Sequence, residues 1–368
     1  MCKITKFCIF AHSKKLKMSN FKSFLKRKNV DISAKAYLLD ALGAMALGLF
    51  ASLLIGTIFK TIGEQFELPI FVELAGYCSK AAGPAMGVAI AYSLHAPALV
   101  MFSAVAVGIA GNSIGIPAVP GGPIIPAGPV GVLVAVVIST ELGKMVSKET
   151  KVDILVTPSV TIISGILLAM FVCPYISIVM NAFGEFINST TVMHPFIMGI
   201  IVSVCIGMAL TLPISSAAIC IAIGLSGIAG GAATAGCCAQ MVGFAVMSFK
   251  ENRWSGLISQ GIGTSMIQMP NILRHPLIWI PPTLTAAITG PLATCVFHLE
   301  NVPIGSGMGT CGLVGPLGVI SAMPNGSSQM WWGILLICFI LPAVLTWLFG
   351  FIFRKLQWIK DGDLKLEQ

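Results

Sequence analysis

Polar side chains are scarce in this sequence, and they gather in two short stretches that are otherwise apolar. Gln260, Thr264, Ser265, Gln268, Asn271, Arg274 and His275 form the first group; His298, Glu300, Asn301, Ser306 and Thr310 form the second. Amides and hydroxyls interleaved in this way offer donors and acceptors side by side, which suits a ligand with several hydroxyl groups. Glu300 beside Asn301 adds two acceptor oxygens next to an amide, and the neighbouring glycines let backbone approach a ligand closely. Gln268, Asn271, His298, Glu300, Asn301 and Thr310 are therefore the candidate substrate-binding residues, with Glu300 the candidate base toward a bound hydroxyl. A second reading makes Glu300, His275 and His298 interfacial groups wetted at a membrane surface. Asn112 and Gln240 are further amides in apolar surroundings, which either bond across helices or touch substrate. Glu141, close in sequence to Lys144 and Lys148, reads as structural.

No catalytic constellation accompanies these groups. The 11 cysteines are scattered through apolar segments without C-x-x-C or Cys/His spacing and read as small core residues. Adjacent Cys237 and Cys238 would point about 100° apart on a helix with no histidine near in sequence, so no metal site is expected. A G-x-x-x-x-G-K-[ST] loop is absent, so the chain is not expected to power itself with ATP, and no cofactor is expected.

The elements that must position these residues are membrane helices. Of 368 residues, 56% are hydrophobic and 10% charged, with mean hydropathy +0.92; a soluble domain carries roughly 25% charge. A water-soluble enzyme and a disordered chain are both excluded. Apolar runs well beyond about 10 residues exclude an outer-membrane barrel, leaving an all-α polytopic membrane protein. The net charge is +8, and ten of the 22 basic residues precede residue 36. Because that tail abuts a span, it reads as an anchor holding the terminus in the cytoplasm, with no nucleic-acid partner expected. Phe7 to Ala11 is too short for a signal-peptide core, and Met18 is an alternative start.

Three parts are expected: a basic tail over 1–35, a transmembrane domain over 36–355 and a short cytoplasmic tail over 356–368. Placing the basic loops at Lys144 to Lys151 and Lys250 to Arg253 inside, with both termini, predicts about ten spans. These are 38–60, 76–95, 97–113, 127–146, 154–181, 195–212, 214–230, 233–248, 278–298 and 330–353. An internal four-span repeat, about 76–181 and 195–298, supports the count. One pairing matches Gly108-Ile109-Ala110-Gly111 with Gly227-Ile228-Ala229-Gly230, and another matches Val156-Thr157-Pro158 with Ile280-Pro281-Pro282. The stretches 112–131, 256–275 and 300–326 are too rich in Gly and Pro for regular helix and too apolar for solvated loops. They read as re-entrant hairpins, whose irregular backbone is tolerated only against protein or a watered cavity. The alternative is that their small residues serve close helix packing, as in Gly305-x-x-x-Gly309.

The run Gly261-Ile262-Gly263-Thr264-Ser265-Met266-Ile267-Gln268-Met269-Pro270-Asn271, with Ile278-Trp279-Ile280-Pro281-Pro282-Thr283, Glu300-Asn301 and Gly307-Met308-Gly309-Thr310, carries a resemblance. It resembles the phosphotransferase-system EIIC-type membrane proteins, the family that includes the perfringolysin regulator PfoR, over about residues 33 to 355. The resemblance implies a bacterial inner-membrane sugar permease, a homodimer, whose bound sugar is phosphorylated by separate EIIA and EIIB proteins. Their phosphoryl carriers are a His and a Cys or His, so this chain is expected to need both partners in trans and to contribute orientation of the sugar. The alternatives are a PfoR-like membrane sensor or regulator, and a carrier of another small solute independent of phosphotransfer. Proton coupling is disfavoured by the scarcity of carboxylates within the spans.

Overall fold

The computed structural model describes residues 23–366 except 31, 34, 118–123, 192 and 324–327. Most of the basic tail, Phe7 to Ala11 and the alternative start at Met18 lie outside the described residues. The chain is 81% helical with no closed sheet, as an apolar chain must be if its backbone groups are to pair without water.

Nine long helices run through the described residues. They are α1 (Ala41–Glu64), α2 (Pro69–Ser93), α3 (Ala98–Ser113), α4 (Gly128–Val146), α5 (Asp153–Thr190), α6 (Pro195–Thr211), α8 (Gly227–Met247), α11 (Ile280–Pro291, prolonged by a π turn over Leu292–Val296) and α14 (Ser328–Lys355). The short helices α7 (Ser216–Ala222), α9 (Phe249–Ile258), α10 (Met269–Arg274), α12 (Pro303–Ser306) and α13 (Val314–Ala322) lie between them. Prolines at the first turn of α2, α4 and α6 start those helices where a missing N–H costs nothing. Five helices (α1, α4, α5, α8 and α14) are long and apolar enough to cross a membrane by themselves. Exposed Ile163, Leu167, Phe171 and Tyr175 on α5 give the bundle an apolar exterior, which marks an integral membrane protein. At 38 residues α5 is about 57 Å long, well beyond a bilayer core of about 30 Å.

In the first half, α3, α4 and α5 pack mutually, with α2 against α3 and α4. In the second, α6, α8 and α11 do the same, with α14 against α8 and α11. Small residues set the closeness. Gly83 and Gly87 of α2 abut Gly108 and Ala104 of α3, and a methyl on Gly236 of α8 would run into the carbonyl of Ser203 on α6. The glycine- and alanine-rich α8 is the most enclosed of the candidate spans, with 83% of its apolar window buried.

One end of the bundle is basic. There Lys144, 1% exposed, pairs with Glu141 at 2.9 Å and donates to the carbonyls of Asn29 at 2.7 Å and Leu94 at 2.9 Å. The expected structural role of Glu141 is thus a buried pair fastening the amino-terminal segment and the α2–α3 turn to α4. Lys28 adds bonds to the carbonyl of Ser147 and the carboxylate of Glu149.

Two expectations need correction. A single helix over 214–230 is absent: Gly224 and Gly227 adopt φ +64° and +61°, and the chain breaks between α7 and α8. Seven residues of α7 rise only about 10 Å, too little to cross. The two Gly-Ile-Ala-Gly runs also sit in different places, since Gly108–Gly111 ends α3 while Gly227–Gly230 opens α8. The other pairing is positional: Val156 and Ile280 both lie in the opening turns of helices.

Candidate functional site

Two segments fold back on themselves and meet. The first, 249–275, leaves the basic end through α9, tightens into a π turn over Ser259–Gly263, reverses through a 3-10 turn and returns as α10. Its tip at Gly263 faces Phe50 of α1. The second, 299–323, starts from the opposite end, where Asn301 bridges Gly227 at the start of α8. It descends through α12 until Gly309 touches Cys237 and Cys238, then turns at Gly309 and Gly312, both with positive φ, and climbs back as α13. The backbone N–H of Glu300 reaches the sulfur of Met323, closing the hairpin at its mouth. Tip meets tip where the Thr310 hydroxyl donates to the Gly261 carbonyl at 2.5 Å.

Beside that contact the buried amide of Gln240 gathers polar groups from four elements. Its Oε1 accepts from Trp279 Nε1 at 3.1 Å and from Thr211 at 3.3 Å, and its Nε2 donates to Thr283 at 3.2 Å. Thr211 also meets Ser265 of the first hairpin at 2.8 Å. Helix α6 ends at this level because Pro213 follows Thr211 by two residues and cannot continue it. The helix stops short of the basic end, and the first hairpin fills the space below it.

The candidate residues fall into three places. Gln268 and Asn271 are buried at the base of the first hairpin in a ladder of amides: Gln268 donates to Gln260 at 3.0 Å, and Asn271 donates to Gln268 at 2.9 Å. Their remaining donors go to the carboxyl-terminal segment, Gln268 to the carbonyl of Leu364 and Asn271 to that of Lys365. Asn252 clasps the same segment from the other side through Leu364 and Leu366. Asn301 and Thr310 belong to the second hairpin, where Asn301 Nδ2 donates to Thr234 at 2.6 Å and to the Gly315 carbonyl at 3.0 Å. Glu300 and His298 are exposed at the hairpin mouth. Asn112 sits on α3 beside Gly83 and is not part of these networks.

Thr211, Thr234, Trp279 and Thr283 were not singled out from the sequence as site residues. A threonine immediately before a helix-ending Leu-Pro inside an apolar run is the signal that marks Thr211. For Thr234, one hydroxyl among many in an apolar helix, no such signal exists. Around the basic end, the Lys250 ammonium bonded to Asp361 holds that carboxyl below the usual aspartate range, with Arg354 adding to the effect. Lys28 does the same for Glu149.

Broken segments that enter from opposite ends and meet over buried amides hold irregular backbone inside an apolar bundle, which is tolerated only where protein or a watered cavity satisfies it. The chain belongs to the family described as Phosphotransferase system, EIIC, which matches residues 39–366. It is therefore a permease component of a phosphotransferase system. Among curated proteins none matches the chain at a significant level.

Proposed function

We propose that the chain binds a sugar-type solute where the two hairpins meet and presents it to the cytoplasm for phosphorylation by separate EIIA and EIIB proteins. The observation that supports this is the Thr310–Gly261 contact beside Gln240: hydroxyls and amides from opposite ends bond each other where a polyhydroxylated ligand would replace them. Gln240, Thr211, Ser265 and Thr310 orient the sugar in this reading, and Gln268 and Asn271 join them when the carboxyl-terminal segment lets go. Glu300, His298 and Asn301 form the outer mouth. In this reading the phosphoryl group is carried by the separate proteins, and the share of this chain is to hold one hydroxyl toward the donor.

The basic end faces the cytoplasm of a bacterial inner membrane, as the positive-inside rule asks, with the termini on that side. In this reading α3–α4–α5 and α6–α8–α11 are the paired repeats that rock about the site. The working unit is a homodimer in lipid. A sensor reading has its own support in the clasp on residues 364–366, since a ligand taking over Gln268 and Asn271 would free that segment to signal.

The test is uptake of labelled sugars into membrane vesicles supplied with phosphoenolpyruvate and the phosphocarrier proteins. Accumulation of sugar phosphate that is abolished in Gln240→Leu supports the permease. Saturable sugar binding without uptake, with the carboxyl-terminal segment becoming protease-sensitive, favours the sensor.

A further inference from the structure

Where α8, α9 and α14 converge at the basic end, a cavity of about 1010 Å³ opens on the outside of the bundle. Its lower wall is apolar, built from Val246, Met247, Leu257, Trp347 and Phe351. Its upper rim is cationic, with Lys250, Arg253, Arg354 and Lys355 against the single carboxylate of Asp361. These cations are not equivalent. Lys250 is spent on Asp361 at 2.6 Å, and Arg354 on Glu251 at 2.8 Å and Asp361 at 3.1 Å. Arg253 and Lys355 make no ion pair among the described residues, and both are exposed on the rim. Arg253 is also held at φ 51°, ψ −146°, a conformation that costs a non-glycine residue about 1–3 kcal/mol. That strain turns the chain sharply within α9 at the rim. Exposed Trp254 and Trp358, close in sequence to the rim cations, mark this level as the water–hydrocarbon boundary.

A site with unpaired cations above and hydrocarbon-compatible walls below has the polarity of one ligand class. We propose that this cavity binds an anionic membrane phospholipid, its phosphate between Arg253 and Lys355 and its acyl chains along Trp347 and Phe351. The charge balance carries the choice of occupant: a zwitterionic lipid gains less from two unpaired cations, and a soluble anion gains nothing from the apolar wall. A bound lipid would tie α9, the root of the first hairpin, to α14. The inference is independent of what the carrier transports.

The test uses the purified full chain in detergent, titrated with phosphatidylglycerol or phosphatidylcholine and read by native mass spectrometry and thermal unfolding. Phosphatidylglycerol is expected to bind preferentially. Arg253→Gln and Lys355→Gln should each weaken it roughly fivefold and the pair about 25-fold, taking about 1 kcal/mol per basic group. Lys151→Gln, another exposed cation at the basic end, should leave binding unchanged. Because Arg253 and Lys355 hold no ion pair, folding should survive their loss, which the melting temperature without lipid checks. Equal binding of the two lipids, undiminished binding by the double variant, or an equal effect of inorganic phosphate would each overturn the proposal. A change of oligomeric state in the double variant without lost lipid preference would also overturn it, pointing to a second copy of the chain.

Discussion

The two halves of the bundle differ in how far their buried hydroxyls reach. In the first half they bond back to their own helix: Ser52 to Gly48, Ser103 to Leu99, Thr161 to Thr157 and Ser177 to Cys173. In the second, Thr234, Thr285 and Thr289 also bond back to their own helices, but others reach across elements: Ser203 to Ala286, Thr211 to Ser265, Ser216 to Gly307, Thr310 to Gly261 and Thr346 to Thr285. A hydroxyl tied to its own preceding turn satisfies itself wherever the helix moves, so the first half can shift as packed rods. A hydroxyl tied to another element loses its partner when that element moves, and must find a substitute. Scaffold and site are thus separated along the chain, and the second half is where ligand hydroxyls can exchange with protein ones.

The largest expected effect is in the scaffold. Lys144→Met leaves the Glu141 carboxylate without its buried partner and should cost about 3–5 kcal/mol in denaturant-induced unfolding, while leaving relative ligand preferences intact. Next comes Asn301→Ala, which strands Thr234, the Gly315 carbonyl and the Val302 N–H; about 1–3 kcal/mol should be lost. Thr161→Val, the matched change in the first half, should cost clearly less, because the Thr157 carbonyl keeps its helical bond. Equal costs for these two would break the comparison. Ending the chain at Asp363 removes the carbonyls that hold Asn252, Gln268 and Asn271, and should raise amide hydrogen exchange in 256–275 while sparing 299–323.

The smallest effect is that of pH at the basic end. Asp361 and Glu149 have folded-state pKa values below their ordinary ones, held there by Lys250 and Lys28. Their contribution is present above the unfolded pKa and is lost as pH falls through the depressed folded value. The melting temperature should therefore drop as pH falls below the ordinary carboxylate range, and slightly less so in Asp361→Asn.

Much of this was legible in the sequence because long apolar runs bounded by lysines determine their own state. Helices α1, α5 and α14 follow from hydropathy, with the Lys144–Lys151 and Arg354–Lys365 clusters bounding the latter two. Glycine- and proline-rich stretches also announced where the helices break. What they could not announce is which partner a polar group takes. Gln268 and Asn271 stood out as amides among apolar residues, yet their partners are backbone carbonyls almost a hundred positions away, at Leu364 and Lys365. Glu300 drew attention by its charge, but charge alone does not distinguish the mouth of a hairpin from its tip. Helix count failed at 214–230 for a related reason: mean hydropathy does not register the positive φ of Gly224 and Gly227.

The most direct measurement is thermal unfolding of the detergent-solubilised full chain against sugars, sugar alcohols and organic acids, with Gln240→Leu and Thr161→Val alongside. A ligand at 100 times its Kd stabilises the folded form by about 2.7 kcal/mol, enough to raise the melting temperature visibly. The account predicts a rise with a sugar that persists in Thr161→Val and vanishes in Gln240→Leu. A sugar-induced rise undiminished in Gln240→Leu, or lost in Thr161→Val, would contradict a binding site built from the cross-element bonds of the second half.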